Sequence, residues 1–244
     1  MHAPQRGAAI VRSVKETVMP TIFITGANRG IGLNLARLYA ADGWKVIGTA
    51  RKPAEASALA ALPGNISVEP LEVTDHAAVQ ALAAKLKGEP IDVLWNNAGV
   101  IGRNAASLGS INAQELRDTL LINIYAPILI GEAFAPNVIA SRQKKMAFTS
   151  SKLGSIAENN GGRYAYGPSK AGLNMACMSF AGDLRSKGVI VLPLHPGHVA
   201  TDMGGASAPV TPDASARGMK NIVDNATMAD SGRFVDYLGK PIPW

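Results

Sequence analysis

Short apolar segments alternate with longer segments of mixed polarity along most of the chain. Seven apolar segments rich in β-branched residues have the length of strands: Thr21–Thr25, Trp44–Thr49, Ile66–Val73, Ile91–Trp95, Met146–Ser150, Val189–Leu194 and Arg233–Leu238. Between them, Ala- and Leu-rich segments place apolar residues at helical spacing. In Asp75–Leu86, for example, Ala78, Val79, Leu82 and Leu86 share one helix face.

This alternation predicts an α/β fold with a single core. Strands that alternate with helices are joined by right-handed crossovers, which gives a parallel sheet with helices on both faces. The predicted strands are almost continuously apolar, as strands buried on both faces are. We expect one doubly wound parallel sheet of about seven strands, with ligands bound at the carboxyl ends of the strands.

The length of 244 residues suits one such domain, which we assign to residues 19–244. Residues 1–18 carry three basic residues and one acid, and they lack the apolar core of a secretory signal. We interpret them as a disordered extension or an upstream start, with a weak organelle-targeting segment as the alternative.

Composition narrows the classes of function. The longest apolar stretch, Leu116–Ala140, contains charged residues and two prolines, so we interpret it as a buried helix and expect no membrane span. The net charge of +6 is spread along the chain without basic–aromatic clusters, which argues against nucleic-acid binding. The one cysteine, Cys177, permits no internal disulfide, argues against a structural metal site and suits the cytoplasm.

A glycine-rich turn follows the first predicted strand. Gly26, Gly30 and Gly32 have the spacing G-x3-G-x-G. Gly26 permits a sharp turn, Gly30 lets phosphate approach the backbone, and Gly32 allows close packing of helix on strand. The start of the next helix would then face a dinucleotide pyrophosphate. Glycines in a purely structural turn are the alternative interpretation.

The end of the second predicted strand bears on the choice of nicotinamide cofactor. The chain there reads Thr49-Ala50-Arg51-Lys52, without the Asp or Glu that binds the ribose 2′-hydroxyl of NAD. Arg29 can converge with Arg51, and two guanidinium groups suit a 2′-phosphate. The sequence therefore predicts NADPH or NADP+ rather than NADH, with a solvated surface pair of arginines as the alternative.

Two further positions indicate proton chemistry and a helix irregularity. Tyr166 and Lys170 are four residues apart and share a helix face, although such a pair is also common on helix surfaces. A neighbouring ammonium, with the positive nicotinamide, would lower the pKa of the phenol from about 10.

Pro127 has no N–H for the carbonyl of Asn123, which predicts an irregular helix at 123–127.

In this order, the segments resemble the short-chain dehydrogenases/reductases over residues 20–244. The shared positions are TGxxxGxG at 25–32, NNAG at 96–99, Asn123, Ser151, YxxxK at 166–170, PG at 196–197 and Thr201. Residues 150–156, Gly161-Gly162 and Tyr164-Ala165-Tyr166 are similar to the C-factor/sniffer-like carbonyl reductases. Met203-Gly204-Gly205 and the terminal Trp244 point the same way.

The resemblance implies a Rossmann-type fold and NADPH-dependent reduction of a carbonyl compound. Ser151 would hydrogen-bond the substrate carbonyl, Tyr166 would donate the proton, Lys170 would hold the ribose, and Asn123 would bind a structural water. Ser151 lies 15 residues before Tyr166, a longer interval than is common in the family, which leaves Ser150 open. The S-x-x-G register with Gly154 favours Ser151.

The resemblance also implies which residues bind the cofactor and the substrate, and how the chains assemble. The cofactor would contact Thr25, Gly26, Asn28, Arg29, Gly30, Ile31, Gly32, Arg51, Glu72, Val73, Asn97, Ala98, Gly99, Tyr166, Lys170, Pro196, Gly197, Val199 and Thr201. We expect Leu153, Tyr164, His198 and Met203 around a hydrophobic aldehyde, ketone or quinone, and a homodimer or homotetramer through the fifth and sixth helices. Alcohol oxidation and a nucleotide-sensing signalling protein are the alternatives, but the presence of all four catalytic candidates favours an enzyme.

Overall fold

The computed structural model describes residues 19–102 and 107–244. The extension expected at residues 1–18 lies outside the described residues. Seven strands form one parallel sheet in the order β3-β2-β1-β4-β5-β6-β7. They are β1 (Thr21–Ile24), β2 (Lys45–Ala50), β3 (Ile66–Pro70), β4 (Val93–Asn96), β5 (Lys145–Thr149), β6 (Ile190–His195) and β7 (Val235–Asp236).

All seven predicted strands are confirmed, with differences at their ends. β3 ends at Pro70 rather than Val73, because β2, its only partner, ends opposite it at Ala50. β7 is the shortest strand, since its parallel ladder includes only the last two residues of β6. The chain order reverses between β1 and β4, so the carboxyl ends of these two strands border the crevice in which such sheets bind ligands.

Within the described residues, seven α-helices connect the strands. They are α1 (Gly30–Ala41), α2 (Ser57–Ala60), α3 (His76–Lys85), α4 (Ala113–Leu120), α5 (Ala126–Ala140), α6 (Tyr166–Asp183) and α7 (Pro212–Asn225). The helix predicted over Asp75–Leu86 is confirmed as α3. Asp75 is its N-cap, and the carboxylate accepts the N–H of Ala78 at 3.1 Å, which satisfies an amide that has no partner within the helix.

Apolar side chains fill the space on both faces of the sheet. Along β1, Ile22 and Ile24 pack in one core cluster with Tyr39 of α1, while Phe23 packs in the other with Phe134 of α5. Successive side chains of a strand point to opposite faces. Since both faces are covered, every position of such a strand is apolar, which explains the continuous apolar segments in the sequence.

α4 and α5 belong to one continuous helix from Ala113 to Ala140, which by length and composition alone could cross a membrane. One of its faces packs on the sheet, where Phe134 and Val138 are fully buried. Asn137 on the same helix is buried, and its amide donates to two backbone carbonyls of the loop after α3. These contacts are those of a core helix, as predicted.

Candidate active site

The glycine-rich turn lies at the carboxyl end of β1 and leads directly into α1. Gly26 and Gly30 have φ angles of +65° and +55°, a region that disfavours other residues. A Cβ on Gly32 would lie 2.3 Å from the carbonyl oxygen of Gly26, so only glycine allows α1 to pack this closely. The first turn of α1 has no acidic residue and no side-chain cap. Its N–H groups and positive dipole end therefore fit a pyrophosphate.

Side chains of β1 and of the loop after β4 hold the glycine-rich turn in place. The Thr25 hydroxyl accepts the N–H groups of Asn97 and Ala98 at 2.9 and 3.0 Å. The Asn97 amide donates to the carbonyls of Thr25 and Gly26 at 3.1 and 3.2 Å. Ala98 lies against Gly26, where an added Cβ would be 3.2 Å from the Ala98 Cα. The expected cofactor residues Thr25 and Asn97 therefore position the turn itself.

The region expected to hold a 2′-phosphate carries two exposed arginines. Arg29, in the glycine-rich turn, forms an ion pair with Asp202 in which Nη1 lies 2.7 Å from Oδ2. Arg51 follows β2 directly, and no carboxylate pairs with it among residues 19–102 and 107–244. The nearby Lys52 pairs with Glu55 at 2.9 Å. Arg51 is therefore open to an anion beside the end of β2, whereas the guanidinium of Arg29 is turned toward Asp202 in the loop after β6.

Glu72 and Val73, two of the expected cofactor residues, lie in the turn after β3. The Glu72 carboxylate accepts hydrogen bonds from the backbone and the hydroxyl of Thr74 at 3.2 and 2.9 Å. Val73 is buried in the core cluster on the α5 face of the sheet. Because β3 has already ended at Pro70, these residues belong to a turn, in which the Glu72 side chain is exposed and that of Val73 is buried.

The loop after β6 returns to the glycine-rich turn. A Cβ on Gly30 would lie 3.4 Å from the Thr201 methyl group, so these two expected cofactor residues are neighbours. Gly197 has a φ of +84° and packs against Tyr237, which turns the chain sharply after β6. Val199 forms a bridge to Val210 that closes the loop. The loop therefore places Thr201 at the entrance of α1, opposite the pyrophosphate site.

Ser150 and Ser151, directly after β5, have different environments. The Ser150 hydroxyl is buried and donates to the side-chain oxygen of Asn174 at 2.5 Å. Ser151 accepts the N–H of Leu153 at 3.2 Å, which caps a 3₁₀ turn, and its hydroxyl is near enough to the Tyr166 phenol to lower the pKa of that group. This pattern favours Ser151 over Ser150 as the serine that acts with Tyr166.

Lys170 is buried one helical turn after Tyr166, its side chain near the phenol ring. α6 begins at Tyr166, so Pro168 lies in the first turn, where its missing N–H removes no helical hydrogen bond. Lys170 Nζ donates to the carbonyl of Thr149 at 2.8 Å and lies 5.7 Å from the centre of the Tyr166 ring. Burial lowers the pKa of Lys170 from 10.5 to about 8, because the ammonium loses its hydration.

Burial sets the pKa of the Tyr166 phenol in the protein alone. The prediction of a lowered pKa includes the positive nicotinamide, whereas in the protein alone the pKa of Tyr166 is raised above 10.0 because burial disfavours the phenolate. The hydrogen bond from Ser151 and the positive charge of Arg163 both oppose this effect without overcoming it. The protein therefore keeps Tyr166 protonated at neutral pH, which is the form that can donate a proton.

Asn123 lies in a π-helical turn, Leu121–Tyr125, between α4 and α5. The predicted helix irregularity is thus confirmed, and the N–H of Ala126 bonds the carbonyl of Leu121, one residue further back than in an α-helix. The Asn123 amide accepts the Val100 N–H at 2.9 Å and donates to the Val100 carbonyl at 2.8 Å. It also donates to the Ser169 hydroxyl. Asn123 thus ties the loop after β4 to α6, beside Lys170.

The four expected substrate-pocket residues fall into two groups. Leu153 and Tyr164 line a cavity of about 330 Å³ between the turn after β5 and the start of α6. His198 and Met203 lie in the loop after β6, where a His198 ring nitrogen bonds the carbonyl of Gly204 at 2.9 Å. Sequence reasoning missed Thr149 and Arg163, although the position of Arg163 three residues before Tyr166 could have indicated it.

Comparisons with known proteins agree with this geometry. The model of the short chain dehydrogenase family matches residues 20–210. The chain belongs to this family. It is 41% identical to the C-signal protein of Myxococcus xanthus over 167 residues, which are 68% of this chain and 100% of that protein.

Two solved structures place the protein with the carbonyl reductase type of the family. The carbonyl reductase Sniffer of D. melanogaster superposes with a TM-score of 0.86 at 33% identity, covering 93% of this chain and 100% of that one. The NADPH-bound carbonyl reductase from chicken fatty liver superposes with a TM-score of 0.84 at 33% identity, covering 93% and 99%. The chain is therefore a short-chain oxidoreductase of the carbonyl reductase and C-factor type.

Proposed function

We propose that this protein reduces an aldehyde, ketone or quinone to the alcohol with NADPH and that Tyr166 donates the proton. The observation that carries the proposal is the arrangement at the end of β5 and the start of α6. There Ser151 lies near enough to lower the pKa of Tyr166, whose phenol burial keeps protonated, and Lys170 is buried one turn further along with its ammonium bonded to the carbonyl of Thr149. Oxidation of an alcohol would use the same residues in the opposite direction.

The residues around the glycine-rich turn fit NADPH. Gly26 and Gly32 leave a cradle that a Cβ would fill, and the amide groups at the start of α1 suit the pyrophosphate. Arg51 and Arg29 supply positive charge where the acid of NAD-binding sites is missing, which favours a 2′-phosphate. The structural similarity to an NADPH-bound carbonyl reductase supports the same choice. The bound cofactor supplies the hydride.

The chain's own residues polarise the carbonyl and supply the proton. The hydroxyls of Ser151 and Tyr166 both donate hydrogen bonds to the substrate oxygen and stabilise the negative charge that develops on it. The phenol then gives its proton to this oxygen, which completes the alcohol. The charge of Lys170, 5.7 Å from the ring centre, stabilises the phenolate that remains until solvent returns a proton.

The proposal is tested by following the loss of NADPH absorbance, with NADH in parallel, over a panel of aldehydes, ketones and quinones. We expect turnover with NADPH that Tyr166→Phe abolishes, while the control Tyr125→Phe, an exposed position on the π-helical turn, keeps it. Turnover that survives in Tyr166→Phe would exclude this tyrosine as the donor. Absence of NADPH binding would overturn the proposed function as a whole.

We also propose that the protein works in the cytoplasm as a homodimer or homotetramer formed through α5 and α6. Leu121, Tyr125 and Ile128 are between 36% and 42% exposed on one stretch of helix, and Met175 and Met178 of α6 are 69% and 41% exposed. Such an apolar surface is typical of an interface. Sedimentation analysis should show an oligomer that Tyr125→Asp dissociates; a monomeric wild type would exclude this assembly.

A further inference from the structure

The cavity between the turn after β5 and the start of α6 adjoins the proposed catalytic pair. Leu153 and Gly167 line it. Leu153 lies two residues after Ser151, and Gly167 directly follows Tyr166. Its apolar walls include Leu153, Ile156 and Tyr164, which are 41%, 76% and 37% exposed. Ser151 and Tyr166 do not line the cavity themselves, so an apolar body inside it would extend away from a carbonyl oxygen that this pair holds.

The cavity is lined by one acidic and one basic residue, and within the described residues only the acidic one is paired with an opposite charge. Its charged lining residues are Glu158 and Arg163. The Glu158 carboxylate is already paired, since it lies 3.0 Å from the ammonium of Lys152. Arg163 is exposed, and no carboxylate pairs with its guanidinium in the part of the chain that the structure describes. The cavity thus has one uncompensated positive charge.

The backbone at Arg163 has an unfavourable conformation for a residue with a side chain. Arg163 has a φ of +54° and follows Gly161 and Gly162, whose φ angles are +92° and +74°. A side chain other than glycine is unfavourable in this region, so glycine would suit the position better on conformational grounds. The Arg163 carbonyl accepts the N–H of Gly167 at 2.9 Å, which fixes the residue to the first turn of α6. Strained residues of this kind are concentrated at functional sites.

Arg163 lies three residues before Tyr166, and its carbonyl bonds the N–H of Gly167, the residue after that tyrosine. Its charge lowers the pKa of Tyr166, in opposition to the larger effect of burial, so the guanidinium acts on the phenol through space. The same residue therefore contacts the cavity and influences the proposed proton donor. An anion bound at Arg163 would place the rest of its molecule within reach of Ser151 and Tyr166.

We propose that Arg163 binds a carboxylate on the substrate, so that the preferred substrates are carbonyl compounds with an apolar body and one acidic group. A guanidinium group matches a carboxylate in a two-point hydrogen bond. Its single charge balances a monoanion rather than a doubly charged phosphate. The inference deepens the proposed reductase function and rests on it for the position of the carbonyl.

Two aldehydes of similar shape test the inference, 4-carboxybenzaldehyde and its neutral methyl ester. Their binding to the NADP+ complex is measured by calorimetry for the wild type, Arg163→Gln and the control Arg185→Gln, an exposed arginine in the 3₁₀ turn after α6. We expect the wild type and Arg185→Gln to bind the acid roughly tenfold more tightly than the ester, as one charge-assisted contact allows. In Arg163→Gln this ratio should fall to about one.

Equal binding of the acid and the ester by the wild type would overturn the inference, as would a preference for the acid that persists in Arg163→Gln. Oxidation of NADPH with each aldehyde gives the separate test of function. Arg163-dependent binding of the acid without turnover of either aldehyde would support the anion site and count against the reductase. Turnover of both aldehydes at equal efficiency would support the reductase and exclude the proposed role of Arg163.

Discussion

Replacing Lys170 with methionine separates the catalytic use of this residue from its effect on stability. Lys170 is 4% exposed, and burial lowers its pKa from 10.5 to about 8. That difference corresponds to a cost of roughly 3 kcal/mol for keeping the ammonium charged in the folded protein. Methionine has a similar length and no charge, so it removes this cost. It also removes the hydrogen bond to Thr149, which contributes about 1 kcal/mol.

The expected difference in unfolding free energy between Lys170→Met and the wild type depends on pH, because the pKa of Lys170 is lower in the folded state than in the unfolded state. Below pH 8 the lysine is protonated in both states, so the folded wild type carries the full penalty. Between the folded value of about 8 and the unfolded value of 10.5, the folded protein releases its proton first and the penalty is relieved. Lys170→Met should therefore be about 2 kcal/mol more stable than the wild type at about pH 7 and about equal to it at about pH 10.

Urea unfolding of both proteins at the two pH values measures this difference, since the comparison cancels titrations that they share. Lys220→Met is the matched control. The carboxylates of Asp42 and Asp224 raise the pKa of Lys220, each lying 2.6 Å from its ammonium. Its removal should reduce stability at both pH values. A Lys170→Met protein that is less stable than the wild type at neutral pH, with no dependence on pH, would refute the reasoning. Turnover should be lost in Lys170→Met throughout.

Three further predictions concern the rest of the site. Gly32→Ala should abolish NADPH binding, measured by calorimetry, and lower the Tm, because the new Cβ would lie 2.3 Å from the carbonyl oxygen of Gly26. Normal affinity for NADPH would contradict the close packing of the turn. Ser151→Ala should reduce kcat on the order of 100-fold in a steady-state assay, as loss of an oxyanion donor does. Ser150→Ala should instead lower the free energy of unfolding by about 1 kcal/mol. The opposite pattern would exchange the roles of the two serines. Arg51→Gln should raise the Kd for NADPH about tenfold and leave that for NADH unchanged, and equal effects on both would argue against a 2′-phosphate contact.

The fold could be predicted because its signals are local or regular. The apolar strands reflect burial on both faces, and Asp75 and Ala78 form their capping bond within one turn, so neighbouring residues contain the information. The irregular helix at Asn123 followed from the missing N–H of Pro127, which is a property of one residue. The short β7 could not be predicted in the same way, since its length depends on how far β6 extends beside it.

The same distinction explains which parts of the site the sequence left open. Ser150 and Ser151 are adjacent and chemically identical, and only the fold brings Asn174 to the first and Tyr166 to the second. The raised pKa of Tyr166 likewise depends on burial, which no motif specifies.

Thr25 and Asn97 show how a motif can locate a residue without giving its contacts. Both were expected to touch the cofactor, yet their polar atoms bond each other's segments across 72 residues of chain. Those bonds exist because the sheet order places β1 next to β4, so they could not be derived from either segment alone. The motif residues Thr25 and Asn97 therefore hold the glycine-rich turn in position, in addition to any contact that they make with the ligand. A substitution at Asn97 would act on the cofactor through the position of Gly26, whose carbonyl Asn97 holds.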